Sequence, residues 1–131
     1  YGEFKRLALH QKALEKEYGK QTITSAFNTN NFDYFNYYLK DSSADEVIKD
    51  WASPDAVYAL NERAKESDKD FFSYSWTNNY HVPMNLECIR QEFPHIVWHQ
   101  NYFNSGQYLF SKKGKIISPS IPKKQLLRTL R

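Results

Sequence analysis

The chain has one cysteine, Cys88, and four glycines in 131 residues. A single thiol excludes an internal disulfide and a cysteine-based metal cluster. Cys88 reads as a reduced, half-buried helix residue, and such sparing use of cysteine suits a reducing, cytoplasmic setting. No apolar run approaches the ~20 residues that span a bilayer, and no signal-peptide core is present. The Gly-rich phosphate loop, the His-Glu-x-x-His motif and the nucleophile elbow are all missing. The sequence therefore predicts no cofactor and no metal site. A chain starting at Tyr1 reads as a processed product or a piece of a longer protein.

Aromatic residues are plentiful, with ten Tyr, nine Phe and three Trp. A core built from large rings follows, with tyrosine hydroxyls at its edges. Charge is divided along the chain. Residues 1–92 carry eleven Lys/Arg against fifteen Asp/Glu, a balance of −4, whereas residues 93–131 carry seven Lys/Arg and no acid. Such asymmetry either presents one side to a polyanion or lets the basic end dock on the protein's own acidic surface.

Phe4, Leu7, Gln11, Leu14 and Tyr18 recur at helical spacing up to Gly19, with Gln11 interrupting the apolar stripe. Residues 22–27 read as a short strand. Residues 32–39 read most simply as a second strand, joined to the first by the Asn-rich turn 28–31, and a helix over 32–40 is the alternative. Ser43 and Glu46 form a capping box for a helix through Trp51, and Ser53-Pro54 opens another with Val57, Leu60 and Ala64 inside. Strand 71–77 places Phe72, Tyr74 and Trp76 on one face and Phe71, Ser73, Ser75 and Thr77 on a mostly polar one. A helix begins at Pro83 and stops at Phe93-Pro94. Strands follow at 95–103, 107–110 and 115–117, and a short basic helix within 123–131. This pattern predicts one α+β domain over residues 1–131, with 118–131 a basic tail or short helix. Its sheet is mainly antiparallel with helices on one face, and the stretch from 71 to 110 suits half of a ferredoxin-like split unit.

Phe72-Ser73-Tyr74-Ser75-Trp76-Thr77, Pro83, Glu87, Glu92-Phe93-Pro94, Ile96, Tyr102, Gly106, Phe110 and Gly114 carry a resemblance. Over residues 71–114 the chain resembles the small ferredoxin-like domain of YubB-type proteins of phages and plasmids. The resemblance implies an accessory protein of a mobile genetic element with a macromolecular binding role, and it supplies no catalytic motif.

Two chemistries use the C-terminal half. In a nonenzymatic binding module, Trp98, Tyr102, Tyr108 and Phe110 stack bases of RNA or DNA, and Lys112, Lys113, Lys115, Lys123, Lys124, Arg128 and Arg131 contact phosphate. The bland reading of the same rings is core packing. The basic segment around Leu126, Leu127 and Leu130 also suits a protein partner, so a protein-interaction module without a nucleic-acid role stays open. The enzymatic alternative is a metal-independent ribonuclease or toxin domain, which needs a base, an acid and a cation near the phosphate. His99 with Tyr102, or His95 with His81, would move protons while Lys112, Lys113 or Lys115 held phosphate. On a regular strand His95 and His99 share a face but stand roughly 13 Å apart, too far for one zinc. The sequence assigns no oligomeric state.

Overall fold

Gly19 ends the first helix, α1 (Gly2–Tyr18), at φ 92°, a conformation that costs glycine little. Its N–H donates to the Glu15 carbonyl at 2.9 Å, closing the last turn as the sequence predicts. The computed structural model describes residues 2–29, 37, 55–77, 81–102 and 104–112. A short 3-10 turn over Lys20–Thr22 leads into β1 (Ile23–Asn28). The other described elements are α2 (Asp55–Glu66), β2 (Phe71–Trp76), α3 (Val82–Glu92), β3 (His95–Asn101) and β4 (Gly106–Ser111). The elements expected over 32–39, from Ser43 to Trp51, over 115–117 and within 123–131 lie outside the described residues.

The four strands form one mixed sheet in the order β1-β2-β4-β3. β1 runs parallel to β2, and β4 runs antiparallel to both β2 and β3. The α+β class is therefore observed. β2, α3 and β3 form a split β-α-β unit with β4 inserted between the two parallel strands. The whole order fits a ferredoxin-like sheet only loosely, because the strand beside β2 is parallel to it.

Strand alternation separates two interiors. Ala26, Phe72, Tyr74, Trp76 and Phe110 meet Ala56, Leu60 and Ala64 of α2 and Val82, Ile89 and Phe93 of α3. Ala56 rather than Val57 completes the inner stripe of α2. On the opposite face Ile23, Trp98 and Leu109 pack with Leu14 of α1. Helices thus cover both faces, not the single face expected from the sequence. Ser73 and Ser75, on the mostly polar face of β2, are each 1% exposed.

Hydrogen bonds make that polar face buriable. The Gln11 amide donates to Glu15 Oε2 at 2.9 Å and Ser25 Oγ at 2.8 Å. It accepts from the Ser73 hydroxyl at 2.6 Å. Gln107 donates to Ser75 Oγ at 2.7 Å and to the Leu7 carbonyl at 3.3 Å. Gln11 is fully buried, so it belongs to the stripe it seemed to interrupt. Gln11→Leu keeps the bulk but removes the amide bonded to the Ser25 and Ser73 hydroxyls, each costing about 1–3 kcal/mol if unrelieved. A net loss of about 2–3 kcal/mol in urea unfolding is expected, whereas an unchanged midpoint would show that the network adds nothing.

Candidate nucleic-acid interface

The end of the sheet formed by β3 and β4 holds most of the described aromatic and histidine candidates. Their faces are set by a β-bulge between Ile96 and Trp98. Before the bulge His95 pairs with Ser111 and Ile96 with Phe110; after it Trp98 pairs with Leu109 and His99 with Tyr108. The extra residue breaks the two-residue alternation. His95 consequently takes a register position on the α1 side, and His99 one on the α2–α3 side. The shared face expected of a regular strand is lost.

His99 is exposed, and its ring stacks on half-buried Tyr108 with centroids 5.3 Å apart and planes at 20°. Tyr108 continues the stack to Phe110 at 5.3 Å and to Trp76 at 5.8 Å. Ile96, 42% exposed, lies beside it in the register. Phe110 and Trp98 are core residues. Of the four rings singled out in the sequence, Tyr108 and Tyr102 retain access to solvent.

Tyr102 lies on the other side, beneath the Arg6 guanidinium at 3.8 Å from its ring centre. Partial burial raises its hydroxyl pKa, and the nearby Arg6 charge opposes that shift. Below it stands His10, stacked with Tyr102 at 6.4 Å and edge-on to Trp98 at 5.1 Å. His10 is 2% exposed. Burial first, and the Arg6 charge second, lower its pKa to about 4, while Gln107 acts the other way. His10 thus stays neutral near pH 7.

His81 begins α3 in the left-handed region at φ 57°. His81 precedes α3 and His95 follows it, with the 11-residue helix, about 16 Å long at 1.5 Å rise per residue, between them in the chain. Lys112 follows Ser111, but its ammonium donates to the Ser67 carbonyl at 2.5 Å and lies 5.1 Å from the Phe93 ring centre. That contact is on the α2–α3 side, opposite His95. The structure therefore joins His99 to Tyr108, and Tyr102 to Arg6 and His10. It does not join His99 to Tyr102, or His95 to His81. Lys113, Lys115, Lys123, Lys124, Arg128 and Arg131 lie outside the described residues.

No family model, curated protein or solved structure matches the chain.

Among the described residues no group of three His, Cys, Asp or Glu is placed to hold a metal ion. No described helix is long and apolar enough to cross a membrane. Cys88 is partly buried, and burial raises its thiol pKa, with Glu87 adding to the shift and Lys65 opposing it. A raised pKa favours the unreactive thiol over the thiolate. Sequence reasoning passed over Arg6, His10 and Gln107. His10 had a legible signal, standing three residues after Leu7 and four before Leu14, on the inner stripe of α1.

Proposed function

We propose that the protein is a nonenzymatic accessory domain that binds single-stranded nucleic acid at the His99–Tyr108 end of its sheet. The observation that carries this reading is an exposed imidazole stacked on a half-buried tyrosine ring, with Ile96 beside it. Every base has a face that stacks on such a ring, so the platform is tolerant of sequence. The acid-free stretch 93–131 supplies the complementary charge for phosphate. The resemblance to YubB-type proteins agrees with an accessory role in a mobile element. A ribonuclease reading gains less support, because His95 and His99 take opposite faces of β3, Tyr102 follows that strand, His81 stands at the start of α3, and His10 is buried.

Fluorescence anisotropy with labelled single-stranded RNA and DNA tests the proposal. Stacking of one base on an aromatic side chain contributes about 1–3 kcal/mol. His99→Ala is therefore expected to weaken binding by about 5- to 150-fold, while leaving the salt dependence largely in place. Equal affinity of both forms would remove this platform. Absence of salt-dependent binding to either nucleic acid would turn the reading toward a protein partner.

A further inference from the structure

Arg6 is exposed, and its guanidinium carbon stands 3.8 Å from the centre of the Tyr102 ring. That ring is itself held in place. The Tyr102 N–H donates to the Ser105 carbonyl at 2.7 Å, and buried His10 stacks with the ring at 6.4 Å. Among the described residues no carboxylate pairs with Arg6 and no acceptor is bonded to its N–H groups. Its positive charge is accordingly felt by its neighbours, opposing protonation of His10 and favouring ionisation of Tyr102. Fixing a long surface side chain costs rotamer freedom, and attraction to the ring offsets that cost here. The guanidinium is thus positioned while its five N–H donors stay open to a ligand.

Its place in the fold selects the ligand. β3 is the outer strand in the order β1-β2-β4-β3, so its far edge is unpaired among the described residues. His99 and Tyr102 are three residues apart, at most about 11 Å along the chain. The His99–Tyr108 stack and the Arg6–Tyr102 pair flank that edge from opposite faces, with exposed Asn101 between them in sequence. We propose that Arg6 binds a phosphate of the same single strand that stacks a base on His99, the strand crossing the β3 edge at Asn101. This rests on the reading of the His99–Tyr108 end as a stacking platform. A planar guanidinium donates two parallel N–H bonds to one phosphate. Tyr102 then serves as the mount for a cation, because Arg6 occupies the ring face that a base would need. An acidic peptide would satisfy Arg6 equally but brings no base to His99.

Anisotropy titrations of labelled single-stranded RNA and DNA over a salt series test this in the whole chain. Loss of one phosphate contact to a single strand lowers the salt slope by about 0.7, which is about fivefold in affinity at 0.1 M salt. Arg6→Gln is expected to show both losses, whereas Arg6→Lys keeps the charge and most of the slope. Lys5→Gln, an equal change in charge at the adjacent exposed position, is expected to lose less. In the wild type the Arg6 Nε–H resonance is expected to shift on adding oligonucleotide, a measurement that needs no variant to fold. Wild-type binding with an unmoved Arg6 resonance would overturn the phosphate contact and leave the platform standing. So would a folded Arg6→Gln protein with the wild-type slope, or a Lys5→Gln loss of equal size. Absence of salt-dependent binding by the wild type would overturn both.

Discussion

Gly106→Ala is expected to destabilise the fold by about 2–4 kcal/mol, at or above the usual cost of overpacking. Gly106 pairs with Trp76 across β2 and β4. A Cβ at residue 106 would stand 2.3 Å from two carbons of the Trp76 indole and 3.0 Å from Asn101 Oδ1. The indole is a rigid plate, 8% exposed, wedged between Tyr74 at 5.7 Å and Tyr108 at 5.8 Å. It cannot yield by bending a flexible end, so the strands must separate or the stack must shift. Urea unfolding of Gly106→Ala, Trp76→Leu and the double variant measures this. The double variant should be less destabilised than the two single losses added together, because removing the plate removes the clash. Strict additivity would place the cost of alanine elsewhere.

Acid is expected to cost the fold about 3 kcal/mol through His10 alone. In the unfolded chain His10 titrates near 6.5, and in the folded protein its pKa is lowered to about 4. The unfolded state therefore binds the proton first as pH falls. Stability from this group is complete above about 6.5, declines between there and about 4, and declines no further below that. One pKa unit corresponds to about 1.4 kcal/mol, which sets the magnitude. Carboxylates also titrate toward the lower end of this window, so the measurement is a difference. Urea midpoints at several pH values for the wild type and His10→Gln should converge as pH drops, because glutamine carries no titration. Parallel curves over the whole range would show that His10 is not held neutral in the folded state.

These two residues illustrate how unevenly the structure could be read in advance. The helix ending at Gly19, the strand with Phe72, Tyr74 and Trp76 on one face, the helix stopped by Phe93-Pro94 and the hairpin into Gly106 are all written locally. Spacing of 3.6 or 2 residues, a proline that clashes with a continuing helix and a glycine that accepts positive φ are properties of short segments. Amino-acid order therefore specified the described elements and the α+β class. It also concentrated basic charge after Glu92.

Tertiary structure alone decided which surfaces meet. Alternation showed that Ser73 and Ser75 share a face, but not that Gln11 and Gln107 would satisfy them there. A buried serine and a solvated serine look alike until the partner is known, because hydrogen bonding to either protein or water meets the same requirement. The bulge between Ile96 and Trp98 likewise leaves no mark in composition. One unpaired residue sends His95 and His99 to opposite sides and separates groups that a regular strand would align. His99 joins Tyr108 and His10 joins Trp98 through contacts between residues far apart in sequence, and those contacts exist only once the chain has packed.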